Sequence, residues 1–330
     1  MALLKLQDRP YTLMTLAVLF WAGNFILGRA FHSDIPPIAL AFWRWAVASL
    51  LIIGPAFKHL RKDRAEIIRH WPAVLLLAAL GIAAFNTLAY TGLQYTQAIN
   101  AFLIQSLMPV LIVALSYIIF RERIQALQSV GIFISLCGAA AIIAHGNPKV
   151  FLNLTFNRGD LFVATAILCY AGYSVMLRKR PQVHPLSFIA ATFCIGTVIL
   201  FPLYLWECLN VRRMPLEWLS FAVVGYVAVF PSIVSYLCFN RGVELIGANR
   251  AGLFIHLMPV FGSLMAISFL GEVFLWYHAV GIALIAAGLG APDNDKIDAL
   301  RFSPHHPQHL PQFSTVDDIL QNAQRRFPAL

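Results

Sequence analysis

Ten apolar runs follow one another along the chain, and short polar segments separate them. Each run is roughly 20 residues long, which at 1.5 Å per residue is enough to cross a hydrocarbon core of ~30 Å. The pattern therefore predicts an all-α polytopic membrane protein with ten transmembrane helices. The predicted spans are residues 12–30, 36–57, 72–91, 96–119, 126–144, 159–177, 186–206, 216–239, 248–270 and 274–291.

The tetrapeptide Leu-Met-Pro-Val occurs twice, at residues 107–110 and 257–260, a spacing of 257 − 107 = 150 residues. At the same spacing Glu122 aligns with Glu272, and the correspondence needs no gap between residues 92 and 288. Apolar composition alone does not make Pro, Glu and Gly positions coincide. The sequence therefore predicts a tandem duplication of a five-helix unit.

An odd number of helices in each copy means that the second copy enters the membrane from the opposite face. The two repeats are thus predicted to be inverted relative to each other, as in several transporter folds. The predicted segments are a cytoplasmic N-terminus (1–11), a first five-helix repeat (12–144), an external loop (145–158), a second five-helix repeat (159–291) and a cytoplasmic tail (292–330). The polar composition of the tail is typical of a disordered extension.

The repeated proline lies inside an apolar run in both copies, as Pro109 and as Pro259. A proline in mid-helix removes a backbone donor and kinks the helix, and a membrane tolerates such a break where protein or a cavity satisfies the freed carbonyl. Broken helices at matching positions of two repeats point to the binding site of a transporter. We therefore expect both prolines to act as hinges or gates.

Composition supports the membrane assignment, because hydrophobic residues make up 59% of the chain and charged residues 12%. Soluble domains contain roughly 45–50% and about 25% of these classes. With the N-terminus inside, cytoplasmic segments hold Lys5, Arg9, Lys58, Arg61, Lys62, Arg64, Arg69, Arg121, Arg123, Arg178, Lys179, Arg180, Arg241 and Arg250, and the outer side holds Arg29, Lys149, Arg158, Arg212 and Arg213. Both termini are therefore predicted to be cytoplasmic. The net charge of +9 reflects this topology, and no nucleic-acid partner is expected.

Motifs of enzymes, cofactors and metal sites are not found in the sequence. There is no paired carboxylate within a span, no HExxH, no GxSxG and no phosphate-binding loop to power primary transport. The five cysteines are odd in number and have no ligand-like spacing. We therefore expect no catalytic residue, no cofactor and no metal, and we read the His cluster of the tail as a solvated segment.

Arg44 is the one fixed positive charge well inside a predicted span, and Asn24 lies at a similar depth on the preceding helix. No Asp or Glu lies near the middle of a span to neutralise Arg44, and such residues usually face protein or a cavity. Two interpretations stay open. Asn24, carbonyls and aromatic rings satisfy Arg44 structurally, or its fork binds an anionic group such as an amino acid's carboxylate.

Other polar and aromatic side chains in the spans complete a predicted substrate cavity. They are Trp21, Asn86, Tyr90, Asn100, Gln105, Tyr170, Tyr173, Ser235, Tyr236 and His256. Each of them could instead make a plain hydrogen bond between packed helices. As a set they suit small amphipathic solutes, since aromatic faces can hold an ammonium group. His256 is either a core histidine or, if transport is proton-coupled, a protonation site.

Several motifs resemble those of the EamA-type members of the drug/metabolite transporter superfamily. The motifs are Trp-Ala-Gly-Asn-Phe at 21–25, Phe-Trp-Arg at 42–44, the repeated Leu-Met-Pro-Val, and Glu followed nine residues later by Gly at 122/131 and 272/281. This resemblance covers residues 11–291 and implies ten helices in two inverted repeats.

The resemblance also implies a secondary transporter of the bacterial inner membrane that exports small organic metabolites such as amino acids. Its partners are then a small-molecule substrate, the lipid bilayer and a coupling ion, for which a proton is the candidate. The alternatives are an uptake carrier, a multidrug exporter of the same fold, and a membrane sensor or channel-like protein. Oligomeric state is not indicated.

Overall fold

The computed structural model describes residues 8–96, 98–122, 125–270 and 273–290, and these residues form helices joined by short connections. The C-terminal tail and Glu272 lie outside the described residues. The helices are α1 Pro10–Ala30, α2 Pro37–Arg69, α3 Trp71–Tyr95, α4 Ala98–Gln105 and Met108–Phe120, α5 Ala126–Ile143, α6 Arg158–Met176, α7 Pro185–Asn210, α8 Trp218–Ala228 and Ser235–Leu253, α9 Leu257–Leu270, and α10 Trp276–Leu289.

Eight helical runs within the described residues are long and apolar enough to cross a membrane, and α10 is a shorter apolar helix. This confirms the prediction of an all-α polytopic membrane protein. The run Trp218–Met265 has 48 residues, which is about 70 Å of helix and more than twice the ~30 Å of a hydrocarbon core. Gly247 interrupts this run with a φ of 76° and a ψ of 159°. The number of ten crossings stays a prediction.

Helix α2 is longer than predicted, because it continues through residues 58–69 to reach a length of 33 residues. The predicted span 36–57 therefore forms the first part of a longer helix. Its length corresponds to about 50 Å, so part of it extends beyond a ~30 Å apolar core. The extension is rich in residues that favour a helix, namely Ala, Leu, Lys, Arg and Glu. Its charged residues end the apolar pattern, and the predicted membrane span therefore stops before it.

Two helices contain a segment with π-helical hydrogen bonding at equivalent positions of the repeats. These π segments are Ala78–Ala84 in α3 and Val229–Val234 in α8. Gly81 and Pro231 lie within them, 231 − 81 = 150 residues apart. Neither segment was predicted, because π-helical bulges have no simple sequence pattern, although they occur frequently at functional sites.

Helices α4 and α9 are broken near the repeated prolines, but the breaks do not lie at the prolines themselves. In α4 the helix ends at Gln105 and begins again at Met108, so that Pro109 lies in the first turn of the new segment. The equivalent break at α9 is a 3₁₀ turn at Phe254–His256, which lies between the end of α8 and the helix that contains Pro259. The prediction of a kink centred on proline is corrected accordingly, since proline is well accommodated in a first turn, where its missing N–H costs nothing.

Helices α5 and α10 approach each other closely through glycines. A methyl group added at Gly138 would lie 2.7 Å from the carbonyl oxygen of Gly281, and one added at Gly281 would lie 2.8 Å from that of Gly138. A methyl group at Gly288 would lie 2.4 Å from the carbonyl oxygen of Gly131. The 150-residue shift relates Gly131 to Gly281 and Gly138 to Gly288. In each of the two contacts, a glycine at the first of these repeat positions on one helix therefore meets a glycine at the second position on the other helix.

Ion pairs join the helices at the end of the molecule that is predicted to be cytoplasmic. Arg178 Nη2, after α6, lies 2.5 Å from Glu122 Oε2, after α4. Arg180 lies 2.7 Å from Glu244 of α8, which is also 3.1 Å from Arg241. The Arg178–Glu122 pair connects the two predicted repeats, whereas the contacts of Glu244 lie within the second one.

Two buried carboxylates hold the opposite end together. Asp160, in the first turn of α6, accepts hydrogen bonds from the Thr96 hydroxyl, from Asn100 Nδ2 at 3.2 Å and from the Asn157 backbone N–H at 2.7 Å. Glu207 of α7 accepts the N–H of Ala39 at 2.6 Å and thereby caps the first turn of α2. Both carboxylates lie near helix ends, where backbone N–H groups without an intrahelical partner are available to donate to them.

Candidate functional site

Arg44 lies at the centre of the helix bundle with 1% of its surface exposed. One edge of its guanidinium faces α1 and α3, because the hairpin between α1 and α2 brings Asn24 to the same depth. Arg44 Nη1 lies 3.1 Å from Asn24 Oδ1, 2.7 Å from Asn86 Oδ1 and 2.9 Å from Tyr90 Oη. The Tyr90 hydroxyl donates in turn to Asn24 Oδ1 at 2.5 Å. The first predicted repeat therefore supplies all three acceptors on this edge.

The other edge of the guanidinium faces the π segment of α8. Arg44 Nε donates to Ser232 Oγ at 2.6 Å, and Nη2 donates to the carbonyl oxygen of Pro231 at 2.9 Å. Because Pro231 has no N–H for the carbonyl of Val227, four residues earlier, the Ser232 hydroxyl donates to that carbonyl at 2.6 Å instead. Trp21 Nε1 also donates to the Pro231 carbonyl, at 3.0 Å.

Arg44 has no carboxylate partner among the residues that the structure describes, and its guanidinium carbon lies 4.7 Å from the centre of the Trp45 ring. In this structure neutral acceptors from both predicted repeats hold the charge. The structural interpretation of Arg44 named Asn24, carbonyls and aromatic rings, and the structure shows contacts of each kind. Sequence reasoning did not assign Asn86, Tyr90 or Ser232 to Arg44, although it placed Asn86 and Tyr90 in the same cavity.

A small central pocket adjoins Arg44. Its lining consists of Trp21, Asn24, Phe25, Arg44, Phe85, Asn86, Gln105, Met108, Tyr170 and Met258. The cavity is small: the centre of a water molecule can move within a volume of about 10 Å³, so the pocket holds about one water. The protein is therefore closed around this pocket, and a larger solute enters only after helices move apart.

Three polar atoms of the pocket-lining residues are buried without a hydrogen-bond partner. They are Asn86 Nδ2 of α3, Gln105 Oε1, next to the break in α4, and the Tyr170 hydroxyl of α6. A buried polar atom left unpaired costs about 1–3 kcal/mol. Such atoms in a pocket wall are candidate contacts for a ligand that enters when the pocket opens.

Aromatic rings surround Tyr170 in the pocket wall. The ring of Tyr170 lies 5.4 Å from that of Trp21 in an edge-to-face arrangement and 5.3 Å from that of Tyr173. The Tyr236 hydroxyl donates to the carbonyl of Gly81, in the π segment of α3. Tyr173 and Tyr236 therefore support the pocket wall from behind and do not line it.

The other predicted cavity residues make hydrogen bonds outside the pocket. Ser235 donates to the carbonyl of Ala17 at 3.1 Å, and Asn100 belongs to the cluster around Asp160. His256 Nε2 lies 2.9 Å from the carbonyl oxygen of Ser106, and its Nδ1 is buried without a partner. Ser106 is the residue to which the 150-residue repeat aligns His256, so equivalent breaks in α4 and α9 contact each other here.

Sequence reasoning also missed the apolar part of the pocket lining, which consists of Phe25, Phe85, Met108 and Met258. Met108 and Met258 are equivalent in the repeat, and both belong to the Leu-Met-Pro-Val motif that was recognised only for its proline. Among the described residues, no group of three or more His, Cys, Asp or Glu side chains is placed to hold a metal ion.

Broken helices, paired π segments and a buried charge beside a central pocket are typical of polytopic membrane transporters. The model of the EamA-like transporter family matches the chain twice, at residues 9–144 and 157–290. The chain belongs to this family and is a multi-pass membrane transporter.

Similar proteins carry the same general description. The chain is 30% identical over 275 residues to the uncharacterized transporter YyaM of Bacillus subtilis (strain 168), an alignment that covers 82% of this chain and 89% of YyaM. It is 24% identical to the uncharacterized transporter YetK of the same strain, with 87% of each chain covered. An uncharacterized transporter of Archaeoglobus fulgidus is 23% identical, with 86% of this chain and 97% of that protein covered.

A solved crystal structure of a protein with 19% sequence identity has a TM-score of 0.69 against this chain. The match covers 89% of this chain and 98% of the other. At this level of identity the similarity establishes the fold.

Proposed function

We propose that this protein is a secondary transporter that exports small carboxylated metabolites, amino acids first among them, by alternating access across a bacterial inner membrane. The observation that carries the proposal is Arg44. A guanidinium keeps its charge at accessible pH, and this one lies beside the central pocket with no carboxylate partner in the described residues. A substrate carboxylate is the acceptor that best matches its bidentate edge.

The rest of the pocket lining supports a zwitterionic and partly apolar substrate. Gln105 Oε1 is an acceptor without a partner, and it can accept a hydrogen bond from an ammonium group. The faces of Trp21 and Tyr170 favour a cation as well. Phe25 and Met258 can pack against an apolar side chain. A lipophilic cation is disfavoured as a substrate, because the positive charge of Arg44 would repel it.

Alternating access is supported by the placement of irregular helix in both repeats. The breaks in α4 and α9 and the π segments in α3 and α8 lie at positions related by the 150-residue shift. In an inverted pair, matching breaks let each repeat open one side of a shared site. The excess of Lys and Arg in the predicted inner segments supports cytoplasmic termini.

Exchange in proteoliposomes tests the substrate class. Vesicles with purified protein are loaded with a mixture of the twenty L-amino acids, and each labelled amino acid is offered outside in turn. We expect counterflow of at least one of them above that of protein-free vesicles. Ethidium should inhibit this flux less than the unlabelled amino acid does, because Arg44 repels a cation. Stronger inhibition by ethidium than by any amino acid would contradict the proposal.

A further inference from the structure

The bidentate edge of Arg44, formed by Nε and Nη2, is occupied by two oxygen atoms of one π segment. Ser232 Oγ lies 2.6 Å from Nε, and the Pro231 carbonyl oxygen lies 2.9 Å from Nη2. We infer that this segment of α8 substitutes for a carboxylate in the closed protein, and that the carboxylate of the substrate displaces it. The identity of the displacing group rests on the proposed function; the closing role of the segment does not.

The geometry of the guanidinium separates an anchored edge from an exchangeable one. Two adjacent N–H groups on one edge match the two oxygens of a carboxylate, and this pairing is stronger than hydrogen bonds to neutral acceptors. The Nη1 edge is meanwhile held by Asn24, Asn86 and Tyr90. Arg44 can therefore exchange its partners on the α8 edge while it stays attached to α1 and α3.

The two oxygens that Arg44 would release keep hydrogen bonds of their own. The Ser232 hydroxyl still donates to the Val227 carbonyl, and the Pro231 carbonyl still accepts from Trp21 Nε1 at 3.0 Å. Leaving a buried polar group without a partner is the main cost of breaking such contacts. Because neither group is left unpaired, the segment can leave Arg44 at low cost when a carboxylate arrives.

This arrangement assigns a function to Ser232, which competes with the substrate for Arg44. A hydroxyl that holds the closed state should lower the apparent affinity for a carboxylate and prevent the pocket from opening without one. Ser235 lies one turn further along α8 and is also buried, but it donates to the carbonyls of Ala17 and Phe230. Ser235 therefore provides a matched control.

The experiment measures how fast a water-soluble maleimide reacts with a cysteine in the pocket. The full-length protein is freed of its five native cysteines, receives Met108→Cys, and is reconstituted into liposomes. Ser232→Ala, Ser232→Thr and Ser235→Ala are then compared with this parent. If Ser232→Ala does not reconstitute as a monodisperse protein, Ser232→Gly takes its place.

We expect Ser232→Ala to react about tenfold faster than the parent, as the loss of a hydrogen bond to a charged group implies. Ser232→Thr keeps the hydroxyl and should react at the parent rate, as should Ser235→Ala. An unchanged rate in Ser232→Ala, or an equal acceleration in Ser235→Ala, would overturn the closing role of the segment.

A second measurement separates this inference from the proposed function. The same labelling is repeated with an equimolar mixture of neutral L-amino acids and with the mixture of their amides, which lack the carboxylate. We expect the amino acids to protect the cysteine, at about tenfold lower concentration in Ser232→Ala than in the parent, and the amides to give no protection. Equal protection by the amides would overturn displacement by a carboxylate while amino-acid transport stands. Protection by neither, together with no amino-acid counterflow, would show that the proposed substrate class is wrong and would remove the carboxylate as the displacing group.

Discussion

Arg44 shows how a membrane protein keeps a charge in its interior without a counter-ion. Transfer of a guanidinium out of water is costly, and each hydrogen bond to a charged group returns about 1.5–3 kcal/mol. Among the described residues, the hydrogen-bond partners of Arg44 are five neutral acceptors from α1, α3 and α8. Their arrangement in a fork suits arginine and does not suit lysine, which is a point charge on a flexible chain.

Replacing Arg44 by lysine should therefore reduce both stability and transport. We expect Arg44→Lys to lower the free energy of unfolding by about 2 kcal/mol, because buried acceptors lose their donors. We also expect it to lower amino-acid flux more than tenfold, since bidentate binding of a carboxylate is lost. Thermal unfolding in detergent and counterflow in proteoliposomes measure the two effects.

The matched control is Arg29→Lys, because Arg29 lies near the end of α1 and donates to the carbonyl of Leu93 at 3.1 Å. This variant should keep nearly normal flux. If Arg44→Lys loses stability but transports at the normal rate, Arg44 is a structural residue and the proposed substrate contact is wrong.

The meeting of Arg44 and Asn24 could be predicted from the sequence, because a short hairpin fixes the relative depth of two helices. The contact with Ser232 could not, since it joins residues 188 positions apart through an irregular segment of α8. One pattern in the sequence would have suggested it. A Pro-Ser pair within an apolar run marks a carbonyl without its helical donor beside a hydroxyl that can replace that donor.

At the scale of the helix, the breaks before Pro109 and Pro259 are the candidate hinges. Pro109→Ala and Pro259→Ala each restore a backbone N–H in a first turn, where few helical bonds are gained. We expect little change in thermal stability and at least a fivefold change in flux, because a continuous helix would compete with the break. Counterflow and thermal unfolding are measured on the same preparations. Normal transport in both variants would contradict the hinge hypothesis.

A second prediction at this scale concerns the start of α7. His184 Nδ1 accepts the N–H of Leu186 at 3.3 Å, and its ring stacks on that of His59 with centroids 3.7 Å apart. Burial, followed by the nearby His59, lowers the pKa of His184 below its ordinary value of 6.5, while Asp63 opposes the shift. Below pH 6.5 the imidazole of His184 therefore binds a proton more readily in the unfolded chain than in the folded protein. The free energy of unfolding consequently falls as the pH drops below 6.5.

His184→Asn should weaken this pH dependence, because asparagine can cap a helix and does not titrate. We expect the melting temperature of the parent to fall more than that of the variant between about pH 7 and pH 5. Thermal unfolding across this range measures the difference. Parallel curves for the two proteins would show that His184 is not responsible.

Helix boundaries were predictable where apolar residues end at a turn, and not where a helix continues into water. The extension of α2 illustrates this, since residues 58–69 are charged and still helical. The interruption at Gly247, by contrast, lies between the predicted spans 216–239 and 248–270, and glycine is the residue that adopts its positive φ most readily. In each π segment a carbonyl accepts a hydrogen bond from another helix, since Arg44 donates to that of Pro231 and Tyr236 to that of Gly81. Such long-range contacts cannot be inferred from hydropathy.

At the scale of the whole molecule, the distribution of Lys and Arg predicts the orientation in the membrane. Ser33, between α1 and α2, should face outward, and Ala65, in the extension of α2, should face the cytoplasm. Both residues are exposed. In a cysteine-free protein, Ser33→Cys should react with a membrane-impermeant maleimide on intact cells, and Ala65→Cys only after lysis. The reverse result would invert the proposed topology.

The class of the protein was predictable because it depends on properties of the whole sequence, its hydropathy pattern and its internal repeat. Ten apolar runs and a 150-residue repeat do not depend on any single contact, and the EamA-like family matches both halves of the chain. The closed pocket was not predictable, because its lining is decided by small displacements of helices that share one composition. Asn100 and Gln105 illustrate this, because both are polar residues of α4. Asn100 donates a hydrogen bond to Asp160 near a helix end, whereas Gln105 lines the pocket.

The glycine contacts between α5 and α10 bear on the origin of the chain. Gly138 meets Gly281, and Gly288 meets Gly131, so the surface that joins the two helices is self-complementary, as in a two-fold symmetric dimer. A separate five-helix protein with this glycine pair would carry the surface needed to bind a second copy of itself inserted in the opposite direction. Joining two such copies in one polypeptide would need no new contact between α5 and α10, because each of the two glycine positions is used once from each repeat.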